Sequence, residues 1–243
     1  MKLNDDVAVL PLPIIRDGQT AWFNPSLILD ADHGPTLVDT GLPGQTAAIA
    51  SALAEVGLHI TDLRRIILTH QDIDHVGSLH DLVQISGARV LAHATETPFI
   101  DGTEPARFAR PEMLAQRPEM RLIAAQFQPT LVDEPLQDGM RLDLAGGVRV
   151  IFTPGHTPGH MCLYLERTRT LLAGDALTAT DGRLQGPNPA ATPDIAQAGQ
   201  SVQTLAALDV ATIVCYHGGV VQDDAPGQLQ RVAAEMAASR VSP

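Results

Sequence analysis

The sequence is poor in aromatics, cysteine, lysine and positive charge. One Trp, two Tyr and five Phe occur among its 243 residues. Lys2 is the single lysine beside fifteen arginines, a bias of genome composition before it is one of chemistry. A formal net charge of −12 repels phosphate backbones, so nucleic acid is not an expected partner. No apolar run reaches the ~18 residues of a membrane-spanning helix, and no membrane association is expected. The opening Met1-Lys2-Leu3-Asn4-Asp5-Asp6 lacks the basic start and apolar stretch of an export signal. Cys162 and Cys215 stand 53 positions apart, in no CxxC pattern and both in apolar runs. Two buried, reduced thiols and a cytoplasmic location are the expectation.

What remains is a globular composition, 44% hydrophobic and 18% charged. The length suits one α/β domain over residues 1–243 with a sizeable core. Short β-branched or leucine-rich runs recur, each ending in an acid or a histidine. Thr36-Leu37-Val38 leads to Asp39, Arg65-Ile66-Ile67-Leu68-Thr69 to His70, and Val148–Phe152 through Thr153-Pro154-Gly155 to His156. Leu171-Leu172-Ala173-Gly174 ends in Asp175, and the run from Ala211 to Tyr216 ends in His217. Such runs read as strands buried on both faces. Polar residues repeated at their ends read as a site along one sheet edge.

Helical spacing fills the gaps. Ile49, Leu53 and Val56 share a face, with Gly57 as the stop. A second helix follows His75 with Val76, Leu79, Leu82 and Val83 inward, ending at Gly87. A third starts at Thr192-Pro193 and buries Ile195, Val202, Leu205 and Leu208. The last lines up Leu229, Val232, Ala233 and Met236. Strands near 7–15 and 21–30 suggest an antiparallel opening meander. Residues 94–130, with five prolines and an apolar helical stretch from Met113 to Phe127, read as an inserted helical cap.

The chemistry concentrates in His70-Gln71-Asp72-Ile73-Asp74-His75. After a strand the chain is extended, which projects 70, 72 and 74 to one side, and His75 then opens a helix. Four such side chains within six residues exceed what packing needs, and cations would compensate their burial. His156, Asp175 and His217 add three donors from other strand ends. Seven nitrogen and oxygen donors are too many for one tetrahedral ion and suit two metals sharing a carboxylate and a hydroxide.

This ordered set, Asp39, His70-x-Asp72-x-Asp74-His75, His156, Asp175 and His217, resembles the metallo-β-lactamase superfamily over nearly the whole chain. The resemblance implies a four-layer αββα sandwich with the metals at one edge. It assigns one metal to His70, Asp72 and His156 and the other to Asp74, His75 and His217. Asp175 would bridge them, while Asp39 would orient ligands without being one. His160, in the family's Gly155-His156-Thr157-Pro158-Gly159-His160 loop, is expected to support the site from outside the ligand set. The pattern usually carries His where this chain has Asp72, a place the flavodiiron branch also gives to a carboxylate. Oxygen donors move preference from zinc toward manganese or iron without excluding zinc. Three aspartates and a hydroxide would balance two divalent cations, and a neutral centre favours neutral esters or lactones over phosphates.

The expected activity is hydrolysis: a metal-bridging hydroxide attacks a carbonyl of a lactone, ester or thioester, and Asp74 relays the proton to the leaving group. No GxSxG elbow is present, and neither cysteine has a His-paired context, so no covalent nucleophile is expected. The fold alone does not name the substrate. The 26 residues after His217 look unlike the C-terminal helical domain of glyoxalase II. No flavodoxin module, RNA-binding arm or export signal is seen, which leaves lactonase-type small hydrolases as the nearest likeness. The tyrosine that quorum-quenching lactonases use after the bridging aspartate is missing from Ala176-Leu177-Thr178-Ala179-Thr180. The alternatives are a non-haem iron redox enzyme, like persulfide dioxygenases or flavodiiron domains, and a metal-binding protein without turnover. A homodimer would follow family habit.

Among the other polar residues, Arg107 and Arg110 read as a solvated face or a grip on a substrate carboxylate. His93 reads as a pocket residue or a satisfied strand-end histidine. His33, His59 and His80 carry no pattern and read as surface residues. Cys215 reads as packing.

Overall fold

The apolar runs pair into two six-stranded sheets in the computed structural model, which describes residues 1–16 and 18–239. Each sheet belongs to its own compact unit. Among the described residues, the first unit takes Met1–Leu12 and Pro25–Leu136, and the second takes 13–24 and those from Gln137 on.

In the first unit the strand order is Val7–Val9, Ser26–Ile28, Thr36–Val38, Arg65–Leu68, Arg89–His93 and Glu134–Leu136. The first three pair antiparallel and the last four run parallel. Parallel strands are covered on both faces, which is why the middles of these runs are apolar: Ile66, Ile67, Val90, Leu91 and Ala92 are all buried. Val38 pairs with Ile67 and Ile67 with Leu91, so the chain leaves all three strands at one edge. Asp39, His70 and His93 are delivered to that edge. Helix Thr46–Ala54 buries Ile49, Ala52 and Leu53, and Gly57 follows at φ +78°.

The helix expected after His75 comes in two pieces, Ile73–Val76 and Leu79–Ser86. The break at Gly77-Ser78 is where the turn 41–45 packs. A Cβ on Gly77 would lie 2.3 Å from Pro43 N, and Gly77 N–H donates to Gly41 O at 2.9 Å. Ser78 Oγ donates to Leu42 O at 2.6 Å and accepts from Gln45 N at 3.0 Å. Leu79 and Leu82 are buried, Val83 only half so, and Gly87 ends the helix in the left-handed region.

The opening segment is not one meander. Val7–Val9 pairs with Ser26–Ile28, while Leu12–Arg16 and Gln19–Phe23 form a separate two-stranded sheet. Residues 94–130 also depart from a single helical stretch. They form short turns at Thr97–Ile100, Arg107–Ala109, Pro111–Gln116, Pro118–Met120 and Arg121–Ala124. Pro118 has no N–H for a continuing helix and restricts Arg117 before it. The pieces from 111 to 124 bury no residue, and Phe108 and Phe127 meet edge to face at 5.2 Å.

In the second unit the order is Gly219–Val221, Thr212–Cys215, Thr170–Leu172, Met161–Leu165, Val148–Phe152 and Arg141–Leu142. All neighbours are antiparallel except Thr170–Leu172 with Thr212–Cys215. Helices Ile195–Ala206 and Ala225–Ala238 place Val202, Leu205, Leu229 and Val232 in one cluster with Leu171, Ile213 and Cys215. Each such side chain contributes about 1.5–3 kcal/mol on leaving water. Leu208 and Met236 pack against it half-buried.

The third helix starts later than Thr192-Pro193. Asp194 caps it, accepting from Gln197 N at 2.8 Å, because the Thr192 side chain turns to His156 instead. Ile195 then lies outside the core, 43% exposed, on the wall of a cavity of about 1050 Å³ shared with Thr178, Gln185, Pro187 and Met236.

Candidate metal centre

In the first unit, Asp39 follows its strand at φ +65°, a left-handed turn that Asp tolerates better than most residues. Its carboxylate is buried and accepts from Thr69 N at 2.9 Å, from Thr69 Oγ1 at 2.9 Å and from His75 Nδ1 at 2.9 Å. Thr40 adds two bonds to His75 O, from N at 2.7 Å and Oγ1 at 2.8 Å. A carboxylate only accepts, so His75 Nδ1 carries the proton and its Nε2 presents a lone pair.

His70 is fully buried, its Nδ1 3.0 Å from Thr69 Oγ1 and its ring 4.0 Å from that of His75. Asp72 Oδ2 lies 3.5 Å from His70 Nε2, and Asp74 Oδ2 4.0 Å from His75 Nε2. All four donors of the motif thus share one edge of the first sheet. The helix begins at Ile73, earlier than the sequence suggests, with Asp72 before it and Asp74 and His75 within it.

Asp72 is also the partner of Arg107. Arg107 Nε donates to Oδ1 at 2.6 Å and Nη2 donates to Oδ2. Arg107 is therefore neither a solvated residue nor a free grip for substrate. Its charge offsets that of Asp72, a positive partner that a count of the carboxylates alone leaves out. Arg110 instead lies 5.6 Å over the Phe99 ring.

In the second unit, Asp175 Oδ2 lies 3.4 Å from Nε2 of His156 and 3.4 Å from Nε2 of His217. Hydrogen bonds between such atoms run shorter, at about 2.7–3.2 Å. Two donors each about 2.1 Å from a tetrahedral ion stand about 3.4 Å apart. The spacing fits shared cations better than direct contact, and the histidine–carboxylate composition suits a borderline divalent metal.

His160 lies outside that trio but fixes it. Its Nε2 accepts from Asp175 N at 3.0 Å, so its Nδ1 donates, and it meets Thr153 Oγ1 at 2.8 Å. Thr153 Oγ1 continues to Cys162 Sγ at 3.3 Å, which donates to Ala173 O. The chain of donors runs in one sense from the Asp175 backbone to the core. His156 Nδ1 meets Thr192 Oγ1 at 3.2 Å.

His217 is the open member, its side chain 34% exposed, with the Phe23 ring edge-on at 5.3 Å. Gly218 follows at φ +103°, and a Cβ there would fall 1.8 Å from Ala179 O. Cys162 and Cys215 are free and buried. Burial pushes the Cys162 thiol up to about 12 and raises Cys215 further, so neither is a nucleophile at neutral pH.

Thr69, Glu96 and Thr192 were not expected from the sequence to support the site. Thr69 had one local signal, its place directly before His70. Glu96 is fully buried and accepts from Gln71 N at 2.9 Å across 25 positions, with nothing local to mark it. His93 ends its strand nearly buried, its Nδ1 accepting from Thr95 N at 3.2 Å. His33 and His59 are exposed and His80 is half-buried.

A family model described as the metallo-beta-lactamase superfamily matches residues 20–217, which includes every donor named above. The chain is 28% identical over 202 residues to "Probable metallo-hydrolase YflN" of Bacillus subtilis (strain 168), covering 76% of each chain. It is 30% identical over 210 residues to a hydroxyacylglutathione hydrolase of Fuscovulum blasticum, covering 85% of this chain and 64% of that one. The crystal structure of a metallo-beta-lactamase family protein, TTHA1429 from Thermus thermophilus, is similar with a TM-score of 0.76 at 31% identity. That similarity covers 98% of this chain and 81% of the other.

Proposed function

The chain belongs to the metallo-β-lactamase superfamily and has its α/β fold, and on that premise we propose that it hydrolyses a carbonyl substrate at a dinuclear metal centre. The observation that carries this is Asp175 Oδ2 set at ligand spacing from both His156 and His217. His70, Asp72 and His156 would hold one ion, Asp74, His75 and His217 the other, and Asp175 both. Divalent ions there would supply an acidified water and a Lewis acid for the carbonyl oxygen.

The remaining work falls to this chain's own groups. Asp39 holds His75 as the Nδ1–H tautomer, which keeps Nε2 available. Asp74 is the most open carboxylate of its loop, 23% exposed against 15% for Asp72, and is the group to carry a proton to the leaving group. The substrate is a small lactone, ester or thioester. The similarity to a hydroxyacylglutathione hydrolase supports the thioester.

The test is acid release by metal-loaded protein over lactones, esters, thioesters and β-lactams, with Asp74→Ala as control. Acid release by wild type and not by the variant is the expected result. Silence from protein carrying two metals would sink the hydrolase reading. The carboxylate at position 72 favours the second reading, a non-haem iron redox enzyme. Oxygen consumption by iron-loaded protein would mark it.

A further inference from the structure

One set of contacts in the first unit is left over by the metal-centre reading. Asp72 stands before helix Ile73–Val76 in an extended conformation, φ −66° and ψ 147°. Arg107, 35 positions away, holds both of its carboxylate oxygens in a fork. The turn that carries Arg107 is itself pinned. Arg107 N–H donates to Gln71 Oε1 at 2.8 Å, and Gln71 N–H donates to Glu96 Oε2 at 2.9 Å. Phe108, next in the chain, is buried against Phe127. The guanidinium therefore has little freedom to leave. Its grip orients the carboxylate with Oδ2 3.5 Å from His70 Nε2, the spacing of two ligands on one ion.

We infer that Arg107 is a positioning residue for metal binding that acts through Asp72. Two physical reasons favour it. A lone carboxylate on a loop rotates freely about its side-chain bonds, and a planar fork removes that freedom before the metal arrives. Asp72 and Arg107 together also carry no net charge, as a neutral histidine would, so the pair stands in for the histidine usual at this place. Residues 94–130 thus contribute a built part of the metal loop rather than a detached cover. The inference rests on the metal-centre reading above.

Zinc or manganese alone, titrated into metal-free protein against a competing chelator, tests it. Arg107→Ala should weaken one site by about 10–100-fold, the usual effect of removing a ligand's hydrogen-bond partner. Arg107→Lys should recover only part, because an ammonium cannot form the fork. Asp72→Asn should weaken the same site, and Asp72→Asn with Arg107→Ala should be no worse than Asp72→Asn alone. Arg107→Met, which keeps the apolar stem, carries the same expectation if Arg107→Ala does not fold. Wild-type or tighter binding by the arginine variants, or losses that add in the double variant, overturns the inference. A wild type that takes up no metal instead overturns the metal-centre reading.

Discussion

His75 Nδ1 donates to Asp39 Oδ2 at 2.9 Å across 36 positions, and this one bond settles which ring nitrogen of His75 faces the site. Removing the acceptor lets the imidazole take the other tautomer, with its proton where the metal belongs. Asp39→Ala should therefore lower metal affinity by about 10–100-fold. It should also destabilise the metal-free protein, because Thr69 N–H loses its partner in a buried place. Chelator competition and thermal unfolding of the metal-free variant read the two effects separately. Unchanged affinity would mean that His75 Nε2 is not a ligand.

His160 acts on the backbone of Asp175 rather than on its carboxylate. His160→Ala leaves the Asp175 N–H and the Thr153 hydroxyl without this ring, at a cost of about 1–3 kcal/mol. The melting temperature of the metal-free protein should fall by several degrees. Metal should still bind, more weakly, because every donor side chain remains. Complete loss of metal with unchanged stability would make His160 a ligand and reverse its assignment.

The two thiols should be silent in the native state. A disulfide reagent at mildly alkaline pH should find neither Cys162 nor Cys215 in folded protein and both after denaturation. The sign of the pH effect follows from burial. Cys162 ordinarily titrates near 9.0 and in the fold not until about 12, so the folded state holds its proton more tightly. The stability this represents is complete below pH 9.0 and is lost as pH rises toward 12. Cys162→Ala with Cys215→Ala should flatten the alkaline limb of the stability curve, and an unchanged limb would refute the account.

Gly218 ties backbone geometry to His217. At φ +103°, and with a Cβ position 1.8 Å from Ala179 O, alanine can be fitted only by moving the segment that carries His217. Gly218→Ala should cost more than about 1 kcal/mol by urea unfolding, whereas a glycine whose conformation suits alanine gains about 0.4–1 kcal/mol on replacement. It should also lower metal retention. Wild-type stability and retention together would show that the turn yields more easily than this geometry allows.

The residues proposed as ligands stood out because each sits at the end of an apolar run or inside a six-residue motif, and strand periodicity is local. Helix faces were legible for the same reason, as with Ile49 and Leu53. What stayed hidden depends on distant partners. Thr192 looked like a helix start, but its hydroxyl meets His156 and Asp194 takes the cap. Gly77 falls inside the helix expected after His75, yet Leu42 and Pro43 close on it and the helix breaks there. Arg107 stood out only as a surface or substrate-gripping cation, since nothing in its own neighbourhood names Asp72 as its counter-ion.

That pairing bears on the charge the proposed centre would carry. Counting carboxylates alone makes the centre neutral and predicts a bias toward uncharged substrates. With two divalent ions bound as proposed, including Arg107 would restore the charge that a histidine at position 72 would have left. Asp72→His should therefore add a positive charge beyond the usual pattern, because Arg107 would remain without its carboxylate, and inorganic phosphate should inhibit more strongly. Asp72→His with Arg107→Leu should return phosphate inhibition to near the wild-type level. Inhibition constants at one ionic strength decide the matter, since exposed charges are screened by salt. Equal phosphate inhibition in the single and double variants would show that Arg107 does not contribute to the field at the site.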